Sequence, residues 1–414
     1  MTKAGLRLAA LCTFAACGAA RAATGGLEGM PAYDHVVIIE MENRQYGQII
    51  DASPATSPHM TALAHRYNSA TRFYGTTHVS QPNYIAMMAG DQHGVVDDDP
   101  WYCEADGSKL ARDRAIVAGK PDDADMSPGC HPERASGHYV AHHFPGDSLF
   151  GQLGRAGISW AMYSQSMPVD PDGTPRPEIP MWPLKSANPD LYSLYASKHN
   201  PSVNFDAVRT APDFRAHNRT DAQFFDDASR GTLPRFSYVV PDLCHDDHGP
   251  RGTLTHASEC VSTNAGPSPL LTTGDNYVQK IVDAVRASPL WRSSQNVAVV
   301  ITYDEDDTGS AGVQGCCGYQ PIAPGGSRFG AINQGGGQIP TIVITNHGVT
   351  GVQDATPYNH YALLRTLEDT FGISDHLGHA ALNPAVQPAD GSFRQTPVLP
   401  MVPLFRLAPH AVTN

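Results

Sequence analysis

The stretch NVAVVITYDEDD, residues 296–307, constrains the fold more than any other. An unbroken apolar run of Val, Ala and Ile at 297–301 has the pattern of a strand buried on both faces, as strands are inside parallel sheets. It ends in Tyr303 and then four consecutive carboxylates, Asp304, Glu305, Asp306 and Asp307. Acidic groups just past such a strand stand at its carboxyl end, where open α/β sheets bind ligands. Four carboxylates there repel one another unless something positive joins them, and a divalent cation meets that need. A solvated acidic turn is the simpler alternative for this stretch taken alone.

Three further strand-like runs end in similar chemistry. Residues 36–39 (VVII) lead to Glu42 and Asn43, residues 71–74 lead to a loop ending at Ser80, and residues 236–240 lead to a segment running from Asp242 through His245 and Asp246 to His248. Helical patterns alternate with these runs at 57–67, 85–88 (with Pro82 in the first turn), 147–154, 221–228, 275–287 and 359–371; further strands are expected at 158–163 and 339–345. Alternation of this kind predicts an α/β fold with a mainly parallel central sheet flanked by helices. In a parallel sheet the four strand ends share one edge, so residues far apart in sequence converge. They then form a hard-cation site with a hydroxyl beside it.

Ser80 has two readings. Serine before a helix is a good N-cap. The same position suits a nucleophile, because free amides and the helix dipole stabilise a phosphoryl group there, and a cation at its oxygen favours the alkoxide. Among the histidines, His78, His93, His199, His245, His248 and His360 lie near predicted element ends, where a lone histidine is more often structural. His245 and His248 stand out because they flank Asp246 and Asp247 after a buried strand. An imidazole there can bind metal, meet a phosphate oxygen or protonate a leaving group.

Composition narrows the setting. A formal net charge of −13 argues against nucleic acid as a partner, since a phosphate backbone demands a basic surface. Lys3 and Arg7, an apolar stretch at 8–20 and the small-residue site Ala20-Arg21-Ala22 have the pattern of an export signal over residues 1–22. Residues 23–414 then form a single catalytic domain, in the periplasm or outside the cell, with no apolar run long enough for stable membrane insertion. Six cysteines remain after the signal, and an even number in an exported chain suggests disulfides. Proximity favours Cys103 with Cys130 and Cys244 with Cys260, while a Cys316–Cys317 bond has less support. A zinc site is the competing reading, but no pair has CxxC spacing. The segments 90–146 and 168–189 read as loop-rich, irregular insertions suited to substrate selection. Oligomeric state is not legible.

At these residues the chain resembles the phosphoesterase family of acid phosphatase A and the nonspecific, phosphatidylcholine-cleaving phospholipases C, in the alkaline phosphatase superfamily. The stretches VVIIEMENRQYGQIID, HVSQPNYIAMMAG, YASKHNPSVNF, FSYVVPDLCHDDHG, VVITYDEDD and NHYALLRTLED carry it, in the family's order. The resemblance implies an alkaline-phosphatase-like sandwich and a metal held by Glu42, Asn43, Ser80, Asp304 and Glu305. It implies Ser80 as nucleophile, and His199, His248 and Asp246 near the phosphate, with Asn43 also contacting it; His245, by its place beside Asp246, is expected to contact substrate as well. His360 lies in a matching stretch with a weaker claim. Ser80-Gln81-Pro82-Asn83-Tyr84 lacks the Arg of the sulfatase pattern. The expected activity is that of an acid phosphatase acting on small phosphomonoesters through a phosphoserine. The alternatives are a phospholipase C acting on a phospholipid and a non-catalytic, calcium-stabilised secreted binding protein. Oxygen ligands favour Ca²⁺ or Mg²⁺, while nearby histidine also suits Zn²⁺ or Fe.

Overall fold

The computed structural model describes residues 26–110, 129–134, 139–179, 194–249, 260, 268–307, 315–317, 335–383 and 396–409. The stretch read as an export signal lies outside these, as does the second half of the 168–189 insertion. Among the described residues one nine-stranded sheet runs in the order β4-β3-β5-β1-β6-β7-β2-β8, with β9 also pairing β2. Its centre is β1 (His35–Met41), β5 (Phe236–Val240) and β6 (Val297–Tyr303), every residue of which is buried. Their uninterrupted Val, Ile and aromatic side chains suit strands covered on both faces.

β1 is parallel to both β5 and β6, and β3 (Trp160–Ser164) is parallel to β5 and to β4 (Asn218–Thr220). β7 (Gln338–Thr345) runs against β6 and against β2 (Asn68–Tyr74). Two reversals restore the direction, so β2 points the same way as β1, β5 and β6. The ends of all four strands therefore lie on one edge of the sheet, as the sequence predicts. Short strands β8 (Gln353–Asp354) and β9 (Tyr358–Asn359) extend β2 in parallel.

β2 begins three residues earlier than its apolar pattern suggests. Asn68 donates to Val349 O and Leu404 O and accepts from the Val352 amide, while Ser69 Oγ donates to Gln353 Oε1. Polar side chains that find partners of this kind are buried at little cost, so their polarity hid the strand.

The main helices are α1 (Pro58–Arg66), α2 (Ser80–Ala89), α3 (Leu149–Arg155), α4 (Asp221–Arg230), α5 (Pro269–Ala287) and α6 (His360–Thr370). Their ends follow local chemistry. Thr220 and Gln223 form a capping box at α4, and Gly231, at φ 71°, closes its other end. Asn359 accepts the Ala362 amide to start α6. α5 starts six residues before the predicted 275 because Pro269 occupies its first turn, where no amide donor is needed. Leu363, Leu364 and Leu367 of α6 are buried, as expected.

All three cysteine pairs are disulfides: Cys103–Cys130, Cys244–Cys260 and Cys316–Cys317. The first ties down part of the 90–146 insertion. The described part of the second insertion, up to residue 179, is held by Arg176, which pairs with Asp170 and Glu178.

Candidate active site

Two close approaches bring the loop after β2 to the end of β6. Gly75 donates to Gly337 O and accepts from the Gly336 amide, each at 2.9 Å, and Asp306 donates to Gly336 O. A Cβ on Gly75 would stand 2.7 Å from Asp304 O, so only glycine fits this crossing. The loop is then fixed to α2 by one side chain. Asn83 Oδ1 accepts from the Thr76 and Thr77 amides and the Thr76 hydroxyl, and its Nδ2 donates to Thr77 O and Val79 O.

Val79 occupies the N-cap position, and Ser80 is the first helical residue. The capping role weighed for Ser80 is therefore set aside. Its hydroxyl turns away from the helix amides and lies 3.0 Å from Glu42 Oε2, 3.1 Å from Glu305 Oε1 and 3.3 Å from Asn43 Oδ1. Asn43 adopts a left-handed backbone, φ 49°, which asparagine tolerates better than most residues. This bend lets its amide donate to Asp304 Oδ1 at 3.0 Å while its side chain faces Ser80 and Glu305.

Each carboxylate is further oriented. Tyr84, one helical turn beyond Ser80, donates to Glu42 Oε1 at 2.6 Å. His199 Nε2 lies 3.1 Å from the same oxygen, and its ring stacks on Tyr84 with centroids 5.0 Å apart. His248 Nδ1 approaches Glu42 Oε2 at 3.7 Å and is partly exposed. Asp246 accepts the Glu42 amide through its main-chain oxygen and the His248 and Gly249 amides through Oδ1. His78 bonds Glu305 through Nδ1 and stands 3.3 Å from Asp306 through Nε2.

Burial and mutual repulsion dominate the electrostatics. Burial pushes the Glu42 carboxyl up to about 7, with Lys198 and the Tyr84 hydroxyl pulling it down and Glu305 and Asp98 pushing it further up. Asp304 and Asp246 are driven well above the usual carboxylate range by burial and then by the charge of Glu42. Burial lowers His199 well below its ordinary value, and the Lys198 and His248 charges add to that. These effects favour the neutral form of the His199 imidazole. His78 goes the other way: burial disfavours its charge, but Glu305, Asp306 and Asp307 together outweigh it and raise it.

The donor set fits a hard divalent cation. Glu42, Glu305, Asn43 and Ser80 present four oxygen donors to one region, and Asp304 Oδ2 behind them is buried without a hydrogen-bond partner. No three His, Cys, Asp or Glu groups among the described residues are arranged as a cage. Here two carboxylates converge with an amide and a hydroxyl oxygen instead.

Glu42, Asn43, Ser80, Asp304, Glu305, His199, His248 and Asp246 are thus brought together as the sequence suggests. Two histidines are not. His245 turns to Asp242, 2.8 Å away, and packs on Tyr277; His360 is buried with Nε2 on Tyr303 O and burial lowering it to about 4. Tyr84, His78, Lys198 and Asp98 are the residues that sequence reasoning left out of the site. Only Tyr84 had a usable signal, since the i to i+4 spacing places it on the Ser80 face of a helix.

Fold and site together define an α/β protein whose candidate site is a serine hydroxyl ringed by carboxylates at the carboxyl edge of a largely parallel sheet. The chain belongs to the Phosphoesterase family, whose model matches residues 52–374. It is 24% identical over 345 residues to the phosphate-repressible acid phosphatase of Penicillium chrysogenum, covering 83% of this chain and 60% of that protein. It is 24% identical over 346 residues to the phosphatidylinositol-3-phosphatase of Mycobacterium tuberculosis, covering 83% and 79%. Non-specific phospholipase C6 of Arabidopsis thaliana is 26% identical over 178 residues, 38% of this chain and 30% of that one. Among solved structures, an alkaline phosphatase superfamily protein from Vibrio parahaemolyticus aligns with a TM-score of 0.41 at 14% identity, covering 83% and 70%.

Proposed function

We propose that the protein is an exported, metal-dependent acid phosphatase that hydrolyses phosphomonoesters through a phosphoserine. The observation that carries this reading is the Ser80 hydroxyl within 3.0–3.3 Å of Glu42, Asn43 and Glu305 at the start of a buried helix. Ser80 Oγ attacks phosphorus while its proton passes to Glu42 or Glu305, both in hydrogen-bond reach. The new O–P bond forms as the bond to the leaving oxygen breaks on the far side. His248, the partly exposed imidazole of the group, gives that oxygen its proton. Water then attacks the phosphoserine, its proton returning to His248 while the carboxyl returns the first proton to Ser80, and inorganic phosphate departs. Neutral His199 and Tyr84 keep Glu42 in place.

Glu42, Asn43, Ser80, Asp304 and Glu305 would hold the divalent ion, Ca²⁺ or Mg²⁺ by their oxygen donors, Zn²⁺ or Fe by the adjacent histidines. Bound there, it supplies charge that favours a serine alkoxide and offsets negative charge on the phosphoryl oxygens. Three disulfides support an oxidising compartment and hence export. No helix among the described residues is long and apolar enough to cross a membrane.

The test is hydrolysis of p-nitrophenyl phosphate beside p-nitrophenyl phosphorylcholine across pH, with Ser80→Ala as control. Preference for the monoester at acidic pH, lost in S80A, supports the reading. Preference for the choline diester transfers the protein to the phospholipase C reading that its partial similarity to the Arabidopsis protein supports. Turnover of neither ester, with chelator only lowering the melting temperature, leaves the calcium-stabilised binding protein.

A further inference from the structure

The acids around Ser80 create a problem for any phosphate ester. Glu42, Asp304, Glu305 and Asp246 are all buried there, and an incoming phosphoryl group adds more negative charge. The amide of Gln81, next to Ser80 at the helix start, is already taken by Asp98 Oδ1 at 3.1 Å. The other oxygen of that carboxylate, Oδ2, lies 3.0 Å from Lys198 Nζ. The Lys198 side chain is only 7% exposed, and the next residue, His199, reaches Glu42 at 3.1 Å. The ammonium is thus linked through one carboxylate to the residue beside Ser80, and through its chain neighbour to Glu42.

The segment holding it is pinned by buried hydrogen bonds. Asn200 donates to Asn218 Oδ1 and Tyr195 OH and accepts the Ser202 hydroxyl, all of them buried. A buried ammonium is costly unless it has anionic partners. The charge of Lys198 acts on Glu42 and on Glu305, opposing the effect of burial at both.

We propose that Lys198, positioned by Asp98, binds the non-bridging phosphoryl oxygens beside Ser80 and makes the site select phosphomonoesters over phosphodiesters. A monoester carries three terminal oxygens and a second negative charge above its second ionisation near pH ~6, whereas a diester carries two oxygens and one charge. One fixed cation therefore favours the monoester. The proposal rests on the reading of Ser80 as the nucleophile at phosphorus.

The experiment compares kcat/KM for p-nitrophenyl phosphate and bis-p-nitrophenyl phosphate at pH 5 and pH 7 in wild type, Lys198→Met and Lys198→Arg. Binding of inorganic phosphate to S80A and to S80A/K198M is measured by calorimetry alongside. K198M lowers the monoester rate on the order of 100-fold at pH 7 and less at pH 5, in line with loss of one stabilising donor, and lowers the diester rate less than about fivefold. K198R recovers at least about tenfold on the monoester, and phosphate binding weakens by at least about tenfold in S80A/K198M. Equal losses on both esters, no loss on either, or unchanged phosphate binding overturns the proposal. Should K198M fail to fold, Lys198→Gln, which keeps a polar contact for Asp98, carries the same test. If the wild type turns over no ester, the catalytic reading has failed, and the phosphate calorimetry alone decides the role of Lys198.

Discussion

Glu368 lies in α6, away from Ser80, and allows a test of the buried electrostatics that does not depend on activity. Its carboxyl is fully buried; Oε1 accepts the Leu377 amide at 2.8 Å, and Oε2 has no hydrogen-bond partner. Burial raises it from the ordinary 4.5 to about 8, against the opposing effects of the Leu377 amide, Gln152 and Arg365. The folded chain therefore holds this proton more tightly than the unfolded chain. Its stabilising contribution is complete below about pH 4.5 and is lost as pH rises towards about 8. At about 1.4 kcal/mol per pH unit, that displacement corresponds to about 5 kcal/mol of stability lost across the window. Glu368→Gln keeps the acceptor for Leu377 and removes the titration. Urea unfolding from pH 4 to pH 9, followed by tryptophan fluorescence, measures both proteins. E368Q should match the wild type within ~1–2 kcal/mol near pH 4.5, each burying one poorly paired group, and exceed it by several kcal/mol at pH 8.5. A difference that stays constant across that range would refute the reasoning.

Two other perturbations bear on the site itself. Asn83→Ala removes five hydrogen bonds that hold residues 76–79 to α2; it should lower kcat/KM by about 100-fold through misplacement of Ser80 and lower stability by ~2–4 kcal/mol, read from initial rates and urea midpoints. Treatment with a chelator should abolish phosphatase activity and lower the melting temperature by about 3 °C, the effect of withdrawing an ion present at ~100 times its dissociation constant from a chain of this size; re-addition of the divalent ion should restore both, and full activity after exhaustive chelation would rule out the metal.

The centre of the fold was legible because β1, β5 and β6 are buried on both faces and their composition says so. Segments whose burial depends on particular hydrogen bonds were not. The first half of β2 reads as polar and becomes a strand because Asn68 and Ser69 find partners on two other stretches, residues 349–353 and Leu404. Strands of two or three residues, β4, β8 and β9, carry no period at all, and the reversed direction of β7 is set by tertiary packing. The same division runs through the site. Residues that follow a strand directly, such as Glu42, Asn43, Asp304 and Glu305, are placed by the strand and could be read from it. Lys198, in a single 3₁₀ turn (Ser197–His199), and Asp98, in a loop, are brought together by the fold, so no local pattern announced them. His245 shows the converse: it follows β5 more closely than His248 does, but its ring turns back to Asp242.

Glu40 shows how the sheet tolerates so much acid at one edge. It lies within β1 and precedes Glu42, the first residue past that strand, by two positions. Both are fully buried, yet their surroundings differ. Glu42 has the Tyr84 hydroxyl, His199, Ser80 and the charge of Lys198. Among the described residues neither oxygen of Glu40 has a hydrogen-bond partner, and burial, followed by repulsion from Glu42, drives its carboxyl well above the usual range. Burial without partners thus favours the neutral form of Glu40, while the partners of Glu42 favour its charged form. Within two residues the chain thus passes from an interior that disfavours a charged carboxylate to an edge where cationic and hydrogen-bonding partners favour it. Ser80 is delivered to that boundary by Gly75 and Asn83, where its hydroxyl faces carboxylates able to take a proton. The candidate site lies at the sheet edge, where the fold first supplies partners for negative charge.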